Sequence, residues 1–377
     1  SQWSKHCADI AADLNVEFID LKADVENISS LGMEAAAREA RYLALQNALT
    51  DNDILLTAQH QQDQAETLLL QLFRGAGPKG LSAMAGQFTL GQTQTFRPLL
   101  AVSQADILEY AIKHQLNWID DPSNVETRWN RNYIRHKLWP DITKRWPQAA
   151  QTISRSAEHC AETSELLDDL AEQDLAFLCV DDSAASLPIS TLLTLSKARC
   201  RNVLRHFFLR KNLALPSTVN LQRIIDEVCQ AKQDSNPLVA WSGVEVRRYQ
   251  DQLYFMTPLV EHNANIVIEV TGYKNITLPD GRVIEWKSSE GIGLTLPEQS
   301  QITLRFRQGG EQIKPQGRDH HKSLKHLFQH WSIPPWQRDR IPLIFCDDKL
   351  VAVVGYCMSD LYSVNEGQQG YSLQFKV

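Results

Sequence analysis

Ile54-Leu55-Leu56-Thr57-Ala58-Gln59-His60-Gln61-Gln62-Asp63-Gln64-Ala65-Glu66-Thr67-Leu68-Leu69-Leu70-Gln71-Leu72-Phe73-Arg74-Gly75-Ala76-Gly77-Pro78-Lys79-Gly80-Leu81 is the stretch that decides the fold. Ile54 to Leu56 is a short apolar run of the kind buried in a parallel sheet, and it ends in the polar Thr57 to His60. Side chains at the carboxyl end of such a strand line the ligand crevice of an open α/β fold. Gln61 to Phe73 then has helical spacing, with Asp63, Glu66 and Thr67 a turn apart on one face and Leu68, Leu69 and Leu72 available for burial. Two carboxylates and an imidazole converge near a helix N-terminus. Two readings stand side by side: a chemical site, or a helix start where Asp63 complements the dipole and His60 ends the strand.

Gly75-x-Gly77-x-x-Gly80 follows this helix. A dinucleotide-binding fingerprint follows a strand and opens a helix, whereas Gly75 stands where a glycine caps a helix end. The segment reads as a flexible loop beside the cluster, with Arg74 and Lys79 placed to meet phosphate.

Outward from this stretch the chain divides into three regions. In residues 1–140, strand-like runs (Val16 to Leu21, Ile54 to Ala58, Phe96 to Leu100) alternate with helical ones (Ser4 to Leu14, Met33 to Leu49, Gln61 to Phe73, Gln104 to His114), the pattern of an α/β domain with a parallel sheet. Residues 141–260 are mainly helical (Ala149 to Leu178, Ser190 to Leu209, Thr218 to Ala231) and end in a small sheet at Val239 to Trp241, Val244 to Tyr249 and Leu253 to Met256. After a polar linker at Glu261 to Asn265, residues 261–377 read as an α+β domain. Its strands are Ile266 to Val270, Arg282 to Trp286, Ile302 to Phe306 and Leu343 to Val354, with a helix near Lys322 to His330.

The 377 residues suffice for two or three cored domains, and 43% hydrophobic with 22% charged residues fits a globular protein. No apolar run has the length of a membrane span and no signal peptide opens the sequence, so a cytoplasmic location is expected. The seven cysteines are scattered, odd in number and never spaced C-x-x-C, which argues against zinc and disulfides. Sequons at Asn27 and Asn275 are chance matches without secretion. A net charge of -7 argues against a polyanionic partner, but the local distribution reverses this. Between Arg305 and Arg340 eight basic residues (Arg305, Arg307, Lys314, Arg318, Lys322, Lys325, Arg338, Arg340) face three acidic ones, with His320, His321, His326, Phe328, Trp331 and Trp336 interleaved. Such a patch can neutralise phosphates and stack on bases, or equally be a solvated surface over a tryptophan core.

Thr57-Ala58-Gln59-His60, Asp63-Gln64, Glu66-Thr67 and Arg74-Gly75-x-Gly77-x-x-Gly80-Leu81 resemble the second signature of the tRNA(Ile)-lysidine synthetases, members of the PP-loop ATP pyrophosphatase superfamily. Upstream, Gly32-Met33-Glu34, Ala37-Arg38 and Arg41-Tyr42 resemble the family's E-x-x-A-R-x-x-R-Y helix. Downstream, Arg97-Pro98-Leu99-Leu100, then Asp121-Pro122-Ser123-Asn124 with Arg131-Asn132 and Arg135, resemble its next two blocks. Arg305-Phe306-Arg307, Gly310, Lys322, Leu324-Lys325, Pro334-Pro335-Trp336, Arg338-Asp339 and Ile341-Pro342-Leu343 resemble its terminal domain. The match spans nearly the whole chain.

The resemblance implies an N-terminal PP-loop (adenine nucleotide alpha hydrolase-like) catalytic domain, a helical substrate-recognition domain and an α+β tRNA-binding domain. It also implies ATP and Mg²⁺ as cofactors and tRNA(Ile) and L-lysine as substrates, with lysine attached to C2 of the wobble cytidine through an adenylated intermediate. Asp63 and Glu66 would hold the lysine amine, Asp63 also serving as base. Arg41 would pair with the lysine carboxylate or a phosphate, with Arg38 beside it. His60 and Arg74 would face the nucleotide. Lys79, Arg131, Asn132, Arg135, Arg307, Arg318, Lys322, Lys325 and Arg338 would contact tRNA, although Arg131, Asn132 and Arg135 equally suit structural ion pairs or caps, and Arg97 has the same ambiguity. A homodimer stays open.

Two departures set further expectations. The family's S-G-G-x-D-S loop, whose backbone N–H groups cradle pyrophosphate, occurs nowhere here. The first strand, that loop, its helix and the second strand are expected to precede Ser1, and residues 1–377 alone are expected not to bind ATP. Gln62 stands where the family usually has Asp. The rival readings are a non-catalytic tRNA-binding protein and a PP-loop tRNA thiolase, the latter disfavoured by the scattered cysteines.

Overall fold

The computed structural model describes residues 2–25, 33–50, 52–181, 183–232, 235–297 and 299–376, without the side chains of 33–35. Gly32 of the upstream motif, the Met33 and Glu34 side chains and the Asn27 sequon lie outside the described residues. The chain divides into two compact units, Ser1–Gln173 and Asp174–Val377.

In the first unit Ile54–Leu56 (β1) runs parallel to Thr93–Phe96 (β3), and β3 closes an antiparallel hairpin with Gln87–Leu90 (β2), giving the order β1-β3-β2. The helices Gln2–Asp13, Met33–Ala48, Gln61–Phe73 and Gln104–Lys113 lie where periodicity places them. The strands depart from expectation. β3 ends at Phe96, because Pro98 lacks the N–H a ladder needs and Leu100 N–H turns back to Arg97 O. The hairpin carries no apolar run to announce it; its signal is Gly91 at φ +62° in a two-residue loop. Val16 to Leu21 forms no strand among the described residues, with Val16, Phe18, Ile19 and Leu21 exposed. Strand composition makes a strand only where a partner runs alongside. Nor is β1 buried on both faces: Ile54 and Leu56 are 62% and 64% exposed, while Thr95 opposite Leu55 is fully buried.

The second unit begins inside the long helix Ala149–Phe177. The helices Lys197–Arg210 and Thr218–Arg223, the latter continued by a wide helical turn at Ile224–Cys229, send Leu204, Phe207, Phe208, Leu221, Ile224 and Val228 into one core. That core closes on a four-stranded sheet, Ser186–Pro188 (β4), Leu238–Trp241 (β5), Val244–Tyr249 (β6) and Gln252–Met256 (β7), in the order β4-β7-β6-β5. Strand periodicity points Val244 and Val246 inward and leaves Glu245, Arg247 and Tyr249 on the outer face.

The terminal region has a five-stranded antiparallel sheet. It comprises Val267–Glu269 (β8), Ile302–Arg305 (β11), Leu343–Cys346 (β14), Lys349–Val353 (β15) and Cys357–Met358 (β16), joined in the order β16-β15-β14-β11-β8. Ile276–Thr277 (β9), Val283–Glu290 (β10) and Gln369–Phe375 (β17) form a second sheet, and Gln312–Ile313 (β12) with Lys322–Ser323 (β13) a small ribbon before the helix Leu324–His330. The single strand expected at Leu343 to Val354 is a hairpin, turned at Asp347, whose φ is +54°. No helix among the described residues is long and apolar enough to cross a membrane.

Candidate active site

The turn from β1 into the Gln61–Phe73 helix is a capping box. His60 is extended (φ −123°, ψ −178°), its Nδ1 accepts the Gln62 N–H at 3.3 Å, and Asp63 Oδ2 accepts the His60 N–H at 3.1 Å. Because Nδ1 is an acceptor, the His60 proton lies on Nε2, 3.4 Å from Asp63 Oδ2. The helix-start reading of the cluster is therefore observed, and the same cap fixes the direction of the Asp63 carboxylate.

Glu66, one turn on, is fully buried. Arg135 answers it with two bonds, Nε to Oε1 and Nη2 to Oε2, each 2.8 Å, and Gln62 Nε2 adds a third at 3.0 Å. Arg135 Nη2 also donates to Asp63 Oδ1 at 2.9 Å. Burial works against the Arg135 charge, but the hydrogen bonds and charges of Glu66 and Asp63 outweigh it and raise its pKa above the usual arginine value. Gln62, the departure from the family pattern, thus supplies a neutral donor to a buried carboxylate.

Arg131 approaches the same carboxylate, its Nη1 3.9 Å from Asp63 Oδ1, and Nη2 donates to Thr67 Oγ1 at 2.9 Å. These groups face a cavity of about 470 Å³ lined by Arg38, Arg41, Ala58, Gln59, Asp63, Asn124, Arg131 and Arg135. Four guanidiniums against one lining carboxylate give it a net positive lining, a charge that suits an anion. Arg38 also rests on the Tyr42 ring, 5.0 Å from its centroid.

The remaining candidates lie apart from the cavity lining. Asn132 donates to Ser123 O and Glu126 O at 2.9 and 3.2 Å, fixing the turn that carries Asn124. Arg74 is an exposed helix C-cap, and Lys79 pairs with Asp168 at 3.4 Å. Arg97 is buried and donates to Gln59 Oε1 at 3.2 Å and Ala85 O at 2.6 Å, so it orients a cavity residue. Burial, first of all, lowers its pKa, against a bond to Tyr42. A second cavity, of about 680 Å³, lies beside Gln61, Gln64, Arg97 and Ser154.

In the terminal patch Arg305, Arg307 and Lys314 pair with Asp348, Asp339 and Asp360 at 3.5, 2.9 and 2.7 Å. Arg340 binds Val260 O, and Arg338 binds Ile333 O at 2.8 Å and the Tyr249 hydroxyl at 3.2 Å. Arg318, Lys322 and Lys325 are exposed and have no ion pair among the described residues.

Gln59 and Asn124 line the cavity without having been singled out as site residues; each lies within a quoted motif, the only signal they carry. A further basic surface is also new. Lys197, Arg199, Arg201, Arg205, His206, Arg210 and Lys211 follow one another with no acidic residue between them. Arg199 pairs with Asp174, whereas Arg201 and Arg205, one turn apart, have no ion pair among the described residues. Like charges at that spacing destabilise a helix slightly, and the composition of this segment was the available signal.

Comparison with known proteins identifies the family. The family profile described as a PP-loop domain matches residues 1–142, that of the TilS substrate binding domain 187–254, and that of the TilS substrate C-terminal domain 302–375. The tRNA(Ile)-lysidine synthase of Coxiella burnetii is 44% identical over 377 residues, covering 99% of this chain and 83% of its own. Those of Legionella pneumophila (strain Lens) and Serratia proteamaculans are 41% and 40% identical, covering 98% and 100% of this chain and 85% of each relative. With such identity along nearly its whole length, the chain belongs to the tRNA(Ile)-lysidine synthase family.

Proposed function

We propose that this protein consumes ATP to join L-lysine to C2 of the wobble cytidine of a tRNA(Ile), in the cytoplasm. One observation supports the reading most: Arg38, Arg41, Asp63, Arg131 and Arg135, drawn from separate family blocks, meet at one cavity. The names of the relatives and the PP-loop profile support the reaction class and the use of ATP.

The C2 oxygen of cytidine is a poor leaving group, so ATP first adenylates it and pyrophosphate departs. The lysine nitrogen then bonds to C2 as the C–O bond to AMP breaks, and its proton passes to a base. In this chain Arg38 and Arg41 bind the lysine carboxylate or a phosphate. Asp63, on the cavity wall and oriented by His60, accepts the amine and its proton. Glu66 acts from behind, adding negative potential for the amine and anchoring Arg135. Arg131 stabilises the charge that develops on the departing phosphate, while Arg135 holds Asp63 and Glu66 in place. No group of three metal-binding side chains converges among the described residues, and no step here passes through Mg²⁺. Arg318, Lys322, Lys325, Arg201 and Arg205 supply tRNA affinity.

The test is incubation of the full-length gene product with ATP, labelled lysine and tRNA(Ile), followed by nucleoside mass analysis. A cytidine heavier by one lysine less water, with AMP and pyrophosphate released in equal amounts, is expected. RNA bound without any adduct overturns the enzymatic reading in favour of a binding protein, and incorporated sulfur overturns it in favour of a thiolase.

A further inference from the structure

β6 and β7 pair Arg247 with Tyr254 and Tyr249 with Gln252. Val246, Leu253 and Phe255 enter the core, so Arg247, Tyr249 and Tyr254 share the opposite face, which an antiparallel sheet ordinarily leaves to water. Here Trp336 covers it. Its ring meets Tyr254 edge-on at 5.4 Å and 76°, and Tyr249 at 6.3 Å and 82°. The Arg247 guanidinium, held by Glu245 at 2.9 Å, lies 5.5 Å from its centroid. Trp336 belongs to the one-turn helix Pro335–Arg338, whose entry Pro334 and Pro335 stiffen. From the same turn Arg338 donates to the Tyr249 hydroxyl at 3.2 Å, and close by Gln250 Nε2 donates to Ser332 Oγ at 3.3 Å.

We propose that Trp336 and Arg338 are positioning residues: they seat the terminal region on the outer face of the middle sheet, and so set the spacing between two RNA-contacting surfaces without touching RNA. This rests on the tRNA reading above. Its physical basis is that both side chains are already spent. The Trp336 ring faces protein rings and a guanidinium, and Arg338 commits Nε and Nη2 to a carbonyl and a hydroxyl of the protein. The Trp336 Nε1–H is buried without an acceptor among the described residues, so the seat uses the ring and not its polar edge. Phenylalanine should therefore serve in this place as well as tryptophan, which a residue that donates to RNA would not tolerate. Two RNA-binding surfaces held at a fixed spacing act on one tRNA with a high effective concentration, and a loose joint loses that gain with no contact removed.

The test compares Trp336→Ala, Trp336→Phe and Arg338→Gln with the parent full-length protein. Proteolysis of the segment 257–265 is followed without RNA, and lysine transfer is measured on whole tRNA(Ile) and on its isolated anticodon stem-loop. Faster cleavage in Trp336→Ala and, to a smaller degree, in Arg338→Gln is expected, with parental cleavage in Trp336→Phe. KM for whole tRNA should rise about tenfold in Trp336→Ala, while kcat and the stem-loop kinetics stay within about twofold of the parent. Parental cleavage in both Trp336→Ala and Arg338→Gln overturns the seat whatever the protein's activity. Faster cleavage with unchanged KM, or with equal losses on both RNAs, overturns the positioning role. A Trp336→Phe variant as impaired as Trp336→Ala shows that the indole N–H is needed and overturns it too. A parent that transfers no lysine refutes the enzymatic reading alone, since the cleavage comparison stands without it.

Discussion

Arg135 and Glu66, 69 positions apart, meet in a two-pronged ion pair with both bonds at 2.8 Å, the Glu66 side chain fully buried and the Arg135 side chain 27% exposed. The pair joins the first helix after β1 to the helical turn at Ile134–Leu138, and so decides which face of Asp63 meets the cavity.

Removing Arg135 strands a buried carboxylate. Arg135→Ala should destabilise the protein by about 3–5 kcal/mol, measured by urea unfolding. Glu66→Gln should cost less, because Arg135 keeps Asp63. An Arg135→Ala protein within about 1 kcal/mol of the parent would show that Glu66 finds another partner or a proton.

Asp63→Asn keeps an oxygen able to accept the His60 N–H but loses the charge that meets the lysine amine. Lysine transfer should fall by about 30-fold to several thousand-fold, the range that about 2–5 kcal/mol gives, with tRNA affinity nearly unchanged. Parental lysine kinetics would leave Asp63 with the capping role alone.

The terminal patch divides by partnership. Alanine at Arg318, Lys322 and Lys325 should weaken tRNA binding about evenly across sequences and lower the salt slope by about 0.9 per lost phosphate contact. Alanine at Arg305, Arg307 and Lys314, whose charges are already met by Asp348, Asp339 and Asp360, should change the slope little. Binding measured from low to physiological salt separates the two sets, and equal slopes would refute the division.

The thiols should separate by burial. Desolvation pushes Cys229 and Cys357 up to about 12, so near pH 8 both stay protonated and unreactive in the folded protein. Cys7 and Cys179 are exposed and should be alkylated first. Mass mapping after a short iodoacetamide pulse checks this, and early labelling of Cys229 would contradict it.

Helices were the most legible part of the fold, because an apolar stripe at helical spacing is written within the segment itself; Gln61–Phe73 matches its reading end to end. Strands were less so. Val16 to Leu21 has strand composition and no partner among the described residues, whereas Gln87–Leu90 and Thr93–Phe96 have polar composition and each other. In the candidate site the charged members Arg38, Arg41, Asp63, Glu66, Arg131 and Arg135 were named from motif positions, but nothing local tells a residue that lines a cavity from one that braces it. Gln59 and Asn124 line it; Asn132 and Arg97 brace it.

By itself, then, the sequence determined the family, the helices, and the kinds of charge assembled near the end of β1, since each is carried by short motifs or periodicities whose residues lie a few positions apart. Only the tertiary structure decided where those charges are spent. Whether Arg135 serves a carboxylate or a nucleic acid depends on Glu66, 69 positions away. Whether Trp336 and Arg338 face RNA or protein depends on Tyr249, 87 and 89 positions away from them. A guanidinium carries the same charge wherever it lies, and its partner is set by what the folded chain brings within about 3 Å of it.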